Sequence, residues 1–320
     1  MFKNRQYEVV KKGDVIYGTK PLQSIDSKAT NLVFGGELVG QSIIAAWETV
    51  PEEGWSPNSF HSYFIRPATV ESVIRYEVIE QSNGKNFKNR LVNCYQDNTN
   101  KLVFVAMMSF GYNNNSVQRI KDWHSSPSPN VKSVPYDFQF KPNDYFFKYK
   151  DNMEELMIFN TTNDSIQAMV PPEIFEDAED AEKTIDIGNR RLGFFTRVNT
   201  DELMDAKSDI KANYADLGFV TDATTLVIFF RSLGIAFNFK YFWYKYASMD
   251  HNIYFHDHDF NITEWIFIDY RFTRLSNGRV SFETFGFNTE GKLIVSVYQE
   301  AQVQIPKKVA DQATGGYYKL

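Results

Sequence analysis

The 320-residue sequence predicts an α+β fold built from two tandem copies of one unit, each an antiparallel sheet wrapped around a central helix. Three observations predict it: an internal repeat, an apolar helical segment ahead of each copy's strands, and a length that suits two domains better than one core. The first copy runs through His61-Ser62-Tyr63-Phe64, the segment Val73 to Val78, a turn at Ser82-Asn83-Gly84 and then Lys101-Leu102-Val103-Phe104. The second runs through His251-Asn252-Ile253-Tyr254-Phe255, the segment Trp265 to Tyr270, Ser276-Asn277-Gly278 and Lys292-Leu293-Ile294-Val295. The offset is 190 at the histidines (251 − 61), 194 at the turns (277 − 83) and 191 at the last strands (293 − 102). A near-constant offset marks a duplicated domain. It also predicts that His61 and His251 are structural residues at equivalent strand starts.

The helical segment of the first copy is Gly35 to Thr49, with Val39, Ile43, Ala46, Trp47 and Val50 at helical spacing. That of the second lies between Asp216 and Phe239, with Leu217, Val220, Leu226, Phe229, Phe230 and Leu233. Both are too apolar for a solvated surface helix, so each is expected to be enclosed by its own sheet. The strands that follow alternate apolar and polar residues around turn signals, the pattern of a sheet with one buried face. A helix wrapped by a curved antiparallel sheet is the hot-dog arrangement, and two copies make a double hot dog. The expected boundaries are an N-terminal domain over 1–115, a linker or insertion over 116–189 and a C-terminal domain over 190–320. The middle segment is set apart by Asn113-Asn114-Asn115-Ser116, by Ser125-Ser126-Pro127-Ser128-Pro129 and by an acidic run from Glu173 to Glu182. These favour loop and a solvated helix face. Leu192 to Val198 reads as the opening strand of the second domain.

Composition excludes several classes. A hydrophobic content of 43% with 28 Phe and 18 Tyr belongs to a globular protein with aromatic-rich sheets. The net charge of −6 gives no general affinity for nucleic acid or an anionic membrane. The single cysteine, Cys94, sits in an alternating strand and reads as a core residue, so no internal disulfide is expected. The start Met1-Phe2-Lys3-Asn4-Arg5-Gln6 lacks a signal-peptide core, and no apolar run is long enough to span a bilayer, which predicts a soluble protein. Dinucleotide, Walker, nucleophile-elbow and zinc-protease motifs are all missing, and no cofactor is expected. His256-Asp257-His258-Asp259 has metal-competent side chains but no further ligand cluster; a solvated loop is expected there, and no metal.

The segments Phe34-Gly35-Gly36-Glu37-Leu38-Val39-Gly40-Gln41-Ser42, Ser59 to Pro67 and Asn83-Gly84-Lys85-Asn86-Phe87 resemble the N-terminal half of the type II acyl-CoA thioesterases, a family with bacterial and peroxisomal members. Tyr214-Ala215-Asp216, Ser248-Met249-Asp250-His251-Asn252-Ile253-Tyr254-Phe255-His256 and Ser296-Val297-Tyr298-Gln299-Glu300 resemble its C-terminal half. The resemblance implies the double hot-dog fold and hydrolysis of acyl-CoA to a free acid and CoA. Matched by motif, it implies Asp216, Ser248 and Gln299 as the catalytic set, all in the second copy; the first has Met107-Met108-Ser109 where the second has Val297-Tyr298-Gln299. A carboxylate that deprotonates water suffices for an activated thioester, with a hydroxyl and an amide holding water and base in line. By spacing alone Asp216 reads as a helix N-cap, and Ser248 and Gln299 as ordinary strand polars; only the joint match to the motifs makes them a catalytic set. Oxyanion donors are expected from Gly35-Gly36 at the start of the first helix or from the residues after Asp216. Arg66, Lys85, Lys88 and Arg90 are candidates for the CoA phosphates, each also readable as a surface charge. The ending Tyr318-Lys319-Leu320 shares two of three positions with the Ser-Lys-Leu address, which makes the peroxisome and its import receptor candidates; the cytoplasm is the other location. Homo-oligomerisation is a further candidate. The competing function is acyl-CoA binding without hydrolysis, on the same fold.

Overall fold

The structure, a computed structural model, describes residues 7–24, 30–113, 116–126, 136–161, 164–199, 209–223, 225–236, 246–258, 260–305, 307 and 310–311. The start at 1–6, the Pro-rich stretch at 127–129, the end of the expected second helical segment at Phe239, Asp259 and the closing tripeptide at 318–320 lie outside these residues.

The first half contains β1 (Val9–Lys12), β2 (Val15–Gly18), α1 (Gly35–Trp47), β3 (Trp55–Phe64), β4 (Ile74–Asn83), β5 (Phe87–Gln96) and β6 (Lys101–Tyr112). A middle stretch contains α2 (Ser116–Ser125), α3 (Asp144–Tyr149), β7 (Met157–Thr161), β8 (Ile166–Val170) and α4 (Asp180–Lys183). The second half contains β9 (Arg191–Val198), α5 (Ile210–Ala223), α6 (Thr225–Ser232), β10 (Tyr246–Ser248), β11 (Asp250–Phe255), β12 (Ile266–Ser276), β13 (Arg279–Phe287) and β14 (Leu293–Val303). The strands join one antiparallel sheet in the order β1-β2-β4-β5-β6-β3-β11-β14-β13-β12-β9-β8-β7, with β10 also on β14. Read from its centre outward, each arm repeats the other: β3, β6, β5, β4, β2 on one side answer to β11, β14, β13, β12, β9 on the other. This is the duplicated, helix-wrapping sheet that the repeat predicts.

The sheet's arms meet where β3 pairs with β11, Phe60 opposite Ile253 and Ser62 opposite His251. All four are buried on the helix side. His61 pairs with Asn252, so it points to the other face, where its ring meets Tyr254 edge-on at 5.2 Å. The two histidines are therefore not equivalent, because a shift of one residue in a strand exchanges faces. The residue of the first half that takes the place of His251 is Phe60, an offset of 191 (251 − 60); the same offset sets Met108, the partner of Phe60 on β6, against Gln299 (299 − 108).

Beneath the sheet α1 and α5 run antiparallel and touch, Gly35 beside Asp222, Gly36 beside Phe219 and Trp47 against Tyr214. Contact this close needs glycine: a Cβ on Gly36 would lie 2.8 Å from the Phe219 carbonyl oxygen, a backbone atom that cannot swing aside. Leu38, Val39, Ile43, Ala45, Ala46 and Trp47 of α1 are buried nearly all round, as its apolar sequence requires. Each such large side chain contributes about 1.5–3 kcal/mol on burial.

Three expectations change. The second copy's helix begins at Ile210, ahead of Asp216, and is followed by a separate α6, so Asp216 lies in mid-helix and is no N-cap. The sheet of the second half begins before 190: β8 pairs with β9 and β7 with β8, extending that arm by two strands taken from the expected linker. Ile166, Ala168 and Val170 of β8 alternate with Gln167 and Met169, the sequence signature of a strand with one buried face. The middle stretch also straps the outer face of the second arm. Phe146 of α3 packs among Phe195, Phe267, Phe285 and Phe287, the Asn143 N–H donates to Asp269, and Arg191 ion-pairs with Asp269 while donating to the Lys141 carbonyl. The turn Asn277-Gly278 adopts the expected two-residue hairpin, both residues at positive φ (54° and 67°). Among the described residues no helix is long and apolar enough to cross a membrane.

Candidate active site

At the end of α5 the chain presents Asp222, a carboxylate with 4% of its side chain exposed. Its Oδ1 accepts from Ser248 Oγ at 3.2 Å and from Gln299 Nε2 at 2.8 Å, and Gln299 Nε2 donates its second proton to Ser248 Oγ at 2.7 Å. The result is a closed triangle of three hydrogen bonds drawn from a helix, a short strand and the last strand. Ser248 and Gln299, both expected from the sequence, are thus brought together. Asp216 is not with them. It stands six residues earlier on α5, about 9 Å along the axis and turned some 120° away, so the carboxylate of the triangle is Asp222.

Local sequence explains why Ser248 can face the helix. Ser248 pairs with Ala301 but Asn252 pairs with Tyr298, so four steps on one strand match three on β14, a β-bulge. The bulge diverts a ladder bond to a side chain: Glu300 N–H donates to Asp250 Oδ1 at 2.8 Å, while Met249 N–H donates to the Glu300 carbonyl. The Ser-Met-Asp-His motif is therefore a strand interruption that carries its own acceptor.

Asp222 Oδ2 turns toward the start of α1, where a Cβ on Gly35 would come within 2.7 Å of it and 2.9 Å of the Phe64 ring. First-turn N–H groups of a helix have no partner within the helix, and the helix dipole makes them donors for developing negative charge. The structure thus brings Gly35 to the triangle, with Gly36 next along the same first turn and packed on Phe219. Two further groups adjoin the carboxylate. Tyr246 has its phenol pushed well above the ordinary value, first by burial and next by the charge of Asp222. His251, fully buried, has Nδ1 3.6 Å from Asp222 Oδ1 and Nε2 3.0 Å from Thr221 Oγ. Burial holds this imidazole below its ordinary pKa, against the pull of Asp222 and Gln299, so it is neutral at pH 7. The sequence held a signal for Asp222: in antiparallel helices, the carboxylate near the end of one meets the glycine pair at the start of the other.

The four candidate CoA-binding cations separate. Lys88 pairs with Phe110 on β6, which pairs with Pro57 at the start of β3, whereas the triangle adjoins Phe64 at its end. Seven residues of strand put some 20 Å between them. Arg90 is 1% exposed and spends its guanidinium on the Thr49 hydroxyl and carbonyl, the Ser82 and Asn89 carbonyls and Asn83 Oδ1, which removes it as a phosphate ligand. Lys88 is ion-paired with Glu52 at 2.7 Å above the Trp55 ring. Lys85 is exposed at the same far end, and Arg66, exposed two residues past Phe64, is the one candidate at the end of β3 nearest the triangle. His256 Nε2 lies 2.8 Å from Ser296 Oγ and Asp257 ion-pairs with Lys292; among the described residues no three His, Cys, Asp or Glu gather around a metal-sized space. Cys94 is fully buried against Ser42, its thiol pushed up to about 12 by burial.

Two family models match in order, that of the acyl-CoA thioesterase N-terminal domain over residues 25–111 and that of its C-terminal domain over 172–303. The chain belongs to the acyl-CoA thioesterase family. Within it, the peroxisomal acyl-coenzyme A thioester hydrolase 1 of Saccharomyces cerevisiae is 25% identical over 88% of each chain. Among solved structures, acyl-CoA thioesterase II TesB2 of Mycobacterium marinum covers 94% of this chain and 96% of its own at TM-score 0.64 and 18% identity. A hot-dog-fold protein of Alicyclobacillus acidocaldarius covers 95% of this chain and 98% of its own, also at TM-score 0.64, with 14% identity. The thioesterase double hot dog is therefore the fold of this chain, and its C-terminal family domain contains all three members of the triangle.

Proposed function

We propose that this protein hydrolyses acyl-CoA thioesters to the free acid and CoA, with Asp222 as the general base on water. The observation that carries the reading is the triangle itself. Asp222 Oδ1 is held by Ser248 and Gln299 while Oδ2 lies beside Gly35 at the N-terminus of α1, so one oxygen is anchored and the other is left next to the helix start. A water there passes a proton to Oδ2 as its oxygen attacks the thioester carbon. The carbonyl oxygen gains the negative charge, against the first-turn N–H groups of α1 at Gly35 and Gly36. Collapse breaks the C–S bond and expels the CoA thiolate, which takes up the proton that Asp222 acquired. Ser248 and Gln299 hold the carboxylate at its working angle throughout, and no covalent acyl-enzyme is formed.

The first half supports the assignment by contrast. Phe60 and Met108 occupy the places of His251 and Gln299 there, and neither side chain activates water. The compartment named for the yeast relative supports a peroxisomal location, which a fluorescent fusion tests directly. For the reaction, thiol release is measured across acyl-CoA esters of increasing length with wild type and Asp222→Asn. Wild type is expected to release thiol and the folded variant to lose about 10²–10⁴-fold in kcat. If wild type binds the esters and releases none, the protein is a binder and the hydrolase reading fails.

A further inference from the structure

Behind the triangle, Thr221, His251 and Gln299 line up, and we infer that His251 is a positioning residue that orients the Gln299 amide through its Nδ1–H. The inference rests on the hydrolytic reading above and adds a residue to it. Gln299 Nε2 has two protons and both are used, on Asp222 and Ser248, so its Oε1 must point the other way. A flipped amide would set its oxygen 2.8 Å from the carboxylate of Asp222, acceptor against acceptor. What keeps the amide from flipping has to act on Oε1. That atom and His251 Nδ1 are both buried, neither has a partner within hydrogen-bond geometry, the other of the two included, and they belong to side chains that interact, so a small rotation of the ring or the amide is what joins them. An N–H on Nδ1 satisfies Oε1 and lies 3.6 Å from Asp222 Oδ1, which it also stabilises. A bare Nδ1 would instead face two acceptors.

The tautomer follows from Thr221. Its hydroxyl has one proton and two neighbours, the Gly218 carbonyl at 2.9 Å and His251 Nε2 at 3.0 Å. If that proton goes to the carbonyl, Nε2 must carry the ring hydrogen and Nδ1 is bare. If it goes to Nε2, the ring hydrogen is on Nδ1 and every buried atom in the line is satisfied. The cost of leaving Oε1 and Nδ1 unpaired selects the second. On the other side His251 is fixed by its strand, its carbonyl accepting from Ser62 Oγ at 2.7 Å. The line is Thr221 O–H to His251 Nε2, His251 Nδ1–H to Gln299 Oε1, and Gln299 N–H to Ser248 and Asp222. Thr221 and Asp222 are adjacent on α5, so it returns to the helix from which it starts. Phe60 in the first half breaks any counterpart, as does Met108.

The two amide substitutions of histidine separate the nitrogens. His251→Asn retains a donor near the Nδ1 position, whereas His251→Gln retains only one near Nε2. On the acyl-CoA ester that wild type hydrolyses fastest, His251→Gln is expected to lose about 10–100-fold in kcat with KM within twofold, and His251→Asn to recover most of that loss. Thr221→Val, which keeps shape and removes the proton, is expected to follow His251→Gln. Equal kcat in His251→Gln and wild type, alongside an inactive Asp222→Asn, overturns the relay and leaves the hydrolase intact. Should the variants fail to fold, or wild type release no thiol, ring-nitrogen NMR of the ¹⁵N-histidine-labelled wild type decides: hydrogen on Nδ1 supports the relay, hydrogen on Nε2 overturns it.

Discussion

The two halves of the sheet follow one plan and diverge on both faces. On the inner face the second half has His251 and Gln299 where the first has Phe60 and Met108. On the outer face the second half is strapped by the middle stretch, with Phe146 and Asn143 on Phe267, Asp269 and Arg191, whereas in the first Ile79 of β4 is exposed; Tyr63 and Met107 are exposed as are their counterparts Tyr254 and Tyr298. Duplication supplies a scaffold twice. One copy can then carry a buried polar cluster, whose desolvation has to be compensated bond for bond, while the other fills the same positions with apolar side chains that need no partners.

The outer faces should differ most in stability. Phe146→Ala empties a position ringed by Phe195 and Phe267 and should cost about 3–5 kcal/mol in denaturant unfolding. Tyr63→Ala, on the bare face, should change it by less than about 0.5 kcal/mol. Similar losses at both positions would mean that the strap is not packed. The ion pair beneath it gives the next largest effect. Burial is the main cause that pushes the Asp269 carboxyl up to about 6, against the opposing pull of Arg191. Its folded pKa is thus above the unfolded value, so the folded state holds the proton more tightly, and this group's contribution weakens as pH rises from about 4 to about 6. The difference is on the order of 3 kcal/mol. Melting curves of wild type and Asp269→Asn should diverge across that range, the variant being flatter; parallel curves would refute the assignment.

On the inner face, exchanging the halves' residues is the sharper experiment. Gln299→Met should lower kcat by about 10²-fold by releasing Ser248 and Asp222. Met108→Gln should leave kcat within twofold and cost about 1–3 kcal/mol of stability, since it buries an amide among apolar neighbours. Activity lost equally in both would place chemistry in both halves. Gly36→Ala should cost a similar amount, about 1–3 kcal/mol, as the added Cβ forces α1 from the Phe219 carbonyl.

Much of this plan was legible in the sequence, and the failures have local causes. The repeat, the apolar helices and the Asn277-Gly278 turn required only periodicity and φ preferences. The histidine offset of 190 misled by a single residue, which in a strand means the opposite face, and the bulge before Asn252 that re-aims Ser248 leaves no mark on spacing. Strand β8 was hidden by its polar setting although Ile166, Ala168 and Val170 alternate as a strand should. The motif Tyr214-Ala215-Asp216 points to Asp216, whereas α5 starts at Ile210 and the carboxylate that reaches Ser248 and Gln299 from near its far end is Asp222, which no motif singles out. Arg90 reads as a surface cation in the sequence, and only the loop carbonyls folded around it reveal an internal clamp.

The central claim is that hydrolysis belongs to the second half and to Asp222 in particular. It is tested most directly by kcat/KM for acyl-CoA hydrolysis in Asp222→Asn and Asp216→Asn, both verified as folded. The account predicts a loss of about 10²–10⁴-fold in Asp222→Asn and less than about tenfold in Asp216→Asn. The reverse order, or equal activity in the two, would contradict it.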